Sequence, residues 1–178
     1  MRIRPLMLII LFGSFGQALA GEPMLGPAID GYGPTYPIDD RDVPIEKDTV
    51  YRAVFDAAAY SDDLTSLNTR LVSVARFLNM HVRNGTPLEN MDVAVVVHGA
   101  ALKTVFNDEA YRSKYGADNP NLELVTKLHD AGVEFYVCGQ SMAFGGFTKS
   151  ELADPAKLAI SAMTMLTQLQ NQGYALLQ

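Results

Sequence analysis

The sequence holds one cysteine, Cys138, among 178 residues, so no disulfide can staple a single chain. Basic side chains are outnumbered by acidic ones, 14 against 20, for a net charge of −6. Such a balance makes a poor partner for nucleic acid or anionic lipid. The apolar run from Leu6 to Phe15 is too short to cross a bilayer, which takes about 20 residues. Glycine-rich phosphate loops, the nucleophile elbow of hydrolases and zinc-ligand spacings are all missing. There is no long internal repeat or low-complexity tract beyond the leader. A DNA-binding, membrane-spanning or disordered protein is therefore not expected.

What is present begins with a leader. Arg2 and Arg4 make a short positive stretch, Leu6 to Phe15 follows, and Ala18-Leu19-Ala20 supplies a small-x-small cleavage pattern. Residues 1–20 are thus expected to be a signal peptide, and the location periplasmic. No cysteine follows the cleavage point to carry a lipid, so no membrane contact is expected once the leader is removed. Residues 21–48 form an extended arm whose glycines and prolines, from Gly21 to Pro44, break any helix or inner strand. The arm has two readings, a flexible leader or a strap lying on a neighbouring subunit through Met24, Leu25, Tyr32, Tyr36 and Ile38. Residues 49–178 are long enough for one domain with a full core. In an oxidising compartment an unpaired thiol is either buried beyond reach or kept because it reacts.

From Thr49 onward strand and helix signals alternate. Val50 to Phe55 suits a first strand. Leu64, Leu67, Leu71, Val74, Leu78 and Val82 recur at helical spacing, with Asp62, Asp63 or Thr65 as N-cap and Gly85 at the far end. Met91 to Val97 is the unbroken apolar run of an inner parallel strand. A helix near Asn107 to Tyr115 stops at Gly116, and another runs from an Asn119 cap, with Pro120 first, to Gly132. Val133 to Val137 is the third strand, with Cys138 at its end. Thr148 and Glu151 have capping-box spacing. Beyond Pro155 the pattern allows one long helix, or a strand over Lys157 to Ser161 and a helix from Ala162. Tyr174 to Leu177 closes as a strand. This alternation predicts a three-layer α/β/α sandwich around a mainly parallel sheet.

In such a sheet the C-terminal strand ends gather on one edge, where ligands and chemistry collect. Asp56, His98-Gly99 and Cys138-Gly139-Gln140-Ser141 belong to that edge, joined by Ser161 and Thr164 if the fourth strand exists. Gly139 removes bulk beside the sulfur, and a helical start after it would aim backbone N–H groups at Cys138 and favour thiolate. His98 is the candidate proton acceptor or thiolate partner. Each has a plainer reading: Cys138 as a small core residue, His98 bonded to a carbonyl, Asp56 capping a loop. His81 and His129 are expected to be exposed, and Met163 and Met165 to pack in the core. Met142 beside Cys138 opens a soft-metal reading, but the spacing marks no metal site.

The ordered set Val93 to Gly99, Asn119-Pro120-Asn121, Val137 to Ser141, Ser161 to Thr164 and Gly173-Tyr174 resembles the DsrE/DsrF-like family, most closely its exported branch, over roughly residues 49–178. The resemblance implies a DsrEFH-like sandwich of about five strands and hence the split reading of residues 155–172. It further implies trimeric or hexameric homo-oligomers; no cofactor is expected. In relatives a cysteine after the third strand carries sulfur as a persulfide, and Cys138 matches it; His98 matches the residue after the second strand. The function implied is a sulfurtransferase-like carrier, with donor and acceptor proteins or small sulfur compounds as partners. The sequence departs where relay members carry a basic residue, since Phe144-Gly145-Gly146-Phe147 is uncharged. A small-ligand or soft-metal binding module, and a structural oligomer with an inert thiol, stay open beside it.

Overall fold

The computed structural model describes residues 22–178, so the expected signal peptide lies outside the described residues. Five parallel strands form one sheet: β1 (Tyr51–Ala57), β2 (Met91–Val97), β3 (Glu134–Cys138), β4 (Lys157–Ala159) and β5 (Ala175–Leu177). Their order is β4-β3-β2-β1-β5. The helices are α1 (Thr69–Arg83), α2 (Asp108–Tyr115), α3 (Leu122–Asp130), α4 (Gly139–Phe144) and α5 (Ala162–Asn171). This is the expected α/β sandwich around a parallel sheet.

Alternation along the strands sorts the core into two unequal parts. Phe55, Val93, Val95, Val97, Phe135 and Val137 face one way and bury against Leu71, Val74 and Leu78 of α1 and Leu124 and Leu128 of α3. Val54, Ala94, Val96 and Cys138 face the other way and form a smaller cluster with the buried Ala162 and Leu169 of α5, against which Met165, Leu166 and Tyr174 also pack. Because both faces are covered, Val93 to Val97 are almost fully buried without a break, which is why β2 shows no polar alternation.

Several boundaries differ from the sequence reading, each for a local reason. Helix α1 starts at Thr69, not near Asp62 or Thr65. Asp63 spends its carboxylate on the Thr65 N–H and on the hydroxyls of Thr65 and Ser66, which holds a turn. Asn68 caps the helix instead, accepting from the Arg70 N–H at 2.8 Å. Helix α3 starts after Asn121; the Asn119 amide donates to the carbonyls of Lys103, Thr104 and Phe106, pinning the loop rather than capping. Residues 155–172 split into β4 and α5, as the second reading had it. The Thr148–Glu151 capping box is present and opens a single 3-10 turn. His81 is not exposed: its ring packs between Tyr51 and Phe77, and its Nδ1 lies 2.8 Å from the Phe77 carbonyl. Met163 is not in the core but lies 77% exposed on α5.

The first half of the arm folds onto its own chain. Met24 and Thr35 form an antiparallel bridge. Between them Ile29 is buried in the larger core. The fully buried Asn79 of α1 accepts from the Ile29 N–H at 2.7 Å and donates to the carbonyls of Tyr32 and Gly33. Ile29 is thus the anchor, while Leu25, Tyr36 and Ile38 are exposed.

Candidate functional site

Parallel register brings three strand ends together. Asp56 pairs with Val96 one step before β1 ends, so its side chain stands beside the residue that leaves β2. That residue, His98, is extended and donates its N–H to the Ala57 carbonyl at 2.9 Å. The next, Gly99, sits at φ +55°, a left-handed backbone that favours glycine. Its N–H donates to the Ser141 hydroxyl at 3.2 Å, tying the end of β2 to the segment after β3.

Cys138 ends β3 and caps α4, with its sulfur in the place a serine oxygen takes at other helix starts. The Ser141 N–H donates to Cys138 Sγ at 3.4 Å. Gly139 is demanded by space: a Cβ there would stand 2.7 Å from the Ala159 carbonyl oxygen and 3.2 Å from that of Ile160. This close approach brings β4 and the start of α5 against the sulfur. Ser161 caps α5, accepting from the Thr164 N–H at 3.0 Å, and the two hydroxyls lie 2.9 Å apart.

Opposing effects act on the thiol. Burial, which leaves Cys138 only 5% exposed, pushes its pKa up. Hydrogen bonds from the Ser141 hydroxyl and from the N–H groups of Ser141, Ala162 and Gln140 outweigh this and hold it below the ordinary thiol range. The arrangement suits a nucleophilic thiolate whose charge is met by backbone dipoles rather than by a cation.

The expected residues do meet at one edge, with different pairings. His98 Nε2 lies 2.7 Å from Asp56 Oδ1, and no hydrogen bond joins its ring to Cys138 among the described residues. Asp56 therefore orients the imidazole instead of capping a loop. Gln140 donates to the Ile160 carbonyl at 3.3 Å. Met142 does not accompany the sulfur: it packs into the larger core, whereas Cys138 belongs to the smaller one, which removes the soft-metal pair. Among the described residues no three His, Cys, Asp or Glu side chains gather as a metal site. Sequence reasoning missed the Ala162 N–H, because only the fourth strand's position brings α5 to the sulfur. The Asp56–His98 pair carries no sequence signal of its own, because it depends on the register of β1 against β2.

A cavity of about 350 Å3 has Gly99, Gln140, Ser141 and Phe144 in its lining, and Cys138 is not among the lining residues. A larger one of about 480 Å3, between the arm and Arg76 and Met80 of α1, holds none of these residues.

The family model described as the DsrE/DsrF-like family matches residues 50–178. No curated protein matches the chain. Among solved structures, a protein of unknown function, MTH1491 from Methanobacterium thermoautotrophicum, superposes with a TM-score of 0.52 at 19% identity, covering 71% of this chain and 97% of that one. The likeness is one of fold.

Proposed function

The chain belongs to the DsrE/DsrF-like family, and from that premise we propose that it is an exported sulfur carrier in which Cys138 accepts sulfane sulfur and passes it on as a persulfide. The observation that carries this reading is the ring of donors around Cys138 Sγ, which favours thiolate without a neighbouring cation. The thiolate attacks the outer sulfur of a donor, a new S–S bond forms, and the donor's own S–S bond breaks. The electron pair leaves with the donor's inner sulfur, so no outside oxidant is needed. Transfer to an acceptor thiolate reverses these roles.

Export rests on the leader pattern of residues 1–20. No helix among the described residues is long and apolar enough to cross a membrane. Homo-oligomerisation is supported by the edge strand β4 and by Leu158, Ile160 and Met163 around it, which are 43%, 70% and 77% exposed.

Incubation with polysulfide followed by intact mass tests the carrier role. Wild-type protein gains sulfur that cyanide removes, and Cys138→Ser gains none; an equal gain by both removes the reading. The low exposure of Cys138 favours a second reading, an inert core thiol in a structural oligomer. Alkylation of the native protein as slow as that of a sealed core thiol would select it.

A further inference from the structure

The cavity of about 480 Å3 between the arm and α1 shares no lining residue with the Cys138 site. Its two walls are fixed to each other. Gly33 sits at φ +59°, and a Cβ there would stand 2.3 Å from the backbone nitrogen of Arg76, so the arm lies directly on the helix. The Pro34 carbonyl accepts from Arg76 Nε at 3.0 Å, and the Met24–Thr35 bridge closes the arm on itself. The cavity is therefore preformed, and its volume falls within the range of about 300–1,000 Å3 usual for small-ligand sites.

Hydrocarbon and one positive charge make up the lining. Pro23, Pro34, Tyr36, Ile38 and Met80 supply the hydrocarbon, with Tyr36 the only aromatic ring, and Arg76 is the only charged residue. Tyr36, Ile38 and Met80 are exposed, so this apolar surface faces water. Among the described residues Arg76 makes no ion pair, and its one side-chain hydrogen bond uses Nε. Its two terminal nitrogens are left as parallel donors at the spacing of a carboxylate. The Thr35 hydroxyl does not compete, because it donates to the Met24 carbonyl at 3.4 Å. Glu22, Asp39 and Asp40 border the lining in sequence without joining it, which disfavours a head group of more than one negative charge.

We propose that this cavity binds a fatty carboxylate, with the alkyl chain against Pro23, Ile38 and Met80 and the head group on the terminal nitrogens of Arg76. Burial of the chain drives binding, and the guanidinium selects the charge. A neutral alcohol of the same length gains only the first of these. An alkylammonium ion gains the first and is repelled by Arg76. The site stands independently of the persulfide reading of Cys138.

Titration calorimetry of the full-length chain with octanoate, kept below its micellar concentration, tests the assignment. Octanoate should bind about tenfold or more tighter than octanol or octyltrimethylammonium. Arg76→Met should remove most of that preference. Because Arg76 also holds Pro34, a second variant leaves this contact alone: Ile38 is exposed, and Ile38→Glu should weaken octanoate by about tenfold or more by setting a carboxylate in the lining. No binding of octanoate, equal affinity for octanol, or binding unchanged in both variants overturns the assignment. Absent octanoate binding, together with self-association that Ile38→Glu abolishes in sedimentation, overturns it in favour of a second copy of the chain on this face. None of these outcomes bears on Cys138 as a carrier, which the polysulfide experiment tests separately.

Discussion

Ser141 touches Cys138 twice, through its N–H, which donates to Sγ at 3.4 Å, and through its hydroxyl, which holds the thiol pKa down. The same hydroxyl accepts from the Gly99 N–H, which fixes its oxygen and leaves its proton for the sulfur.

Ser141→Ala should therefore raise the pH midpoint of Cys138 alkylation. In wild type that midpoint should lie below the usual value of about 8.5, because the thiolate is met by donors that the unfolded chain lacks. The stabilisation of the folded state by this thiolate is complete above the unfolded thiol's pKa. It is lost as pH falls through the lower, folded value. Iodoacetamide rates across pH, for both proteins, check the direction.

Gly139→Ala should destabilise the fold by about 2 kcal/mol or more, because a Cβ would collide with backbone oxygen that cannot swing aside. Moving β4 away would also withdraw the Ala162 N–H from the sulfur, so the alkylation midpoint should rise. Urea unfolding and the same alkylation series measure the two effects together.

The Asp56–His98 pair is partly open to solvent, with side chains 23% and 28% exposed. Its coupling energy in a double-mutant cycle of Asp56→Ala and His98→Ala should be about 0.5–1 kcal/mol. Denaturant midpoints of the four proteins give it directly. Additive single effects would mean that the contact contributes nothing.

Asn79→Ala should cost about 3 kcal/mol, since it leaves buried backbone groups of Ile29, Tyr32 and Gly33 without partners. The damage should concentrate on the arm. Limited proteolysis should then cut residues 22–35 well before the sheet domain opens.

Much of the architecture was legible because the relevant signals are local. The apolar run from Met91 to Val97 marks β2 to the residue, and Gly116, left-handed in the structure, ends α2 where expected. Amides facing Cys138 from the helix after it could also be foreseen. What could not be read depends on competition between nearby polar groups or on distant strands. Asp63 and Asn119 read as helix caps in the sequence, and only tertiary partners show that Asn68 caps α1 and that α3 starts after Asn121. Ile29 resembles any residue of a proline-rich leader until Asn79 is seen beneath it. The partner of His98 depends on where β1 stops relative to β2, which the sequence of neither strand states.

The unequal division of the core bears on how a thiol so nearly sealed can react at all. Cys138 lies on the side where one ten-residue helix supplies the cover, and that helix begins at Ala162, directly over the sulfur. Fraying that first turn would unroof the nucleophile while α1, α3 and the larger core stay intact, at a free-energy cost far below that of global unfolding. Protection of the thiol and access to it are therefore set by one short stretch of backbone, and hydrogen exchange at Ala162 to Met165 would read the opening frequency directly.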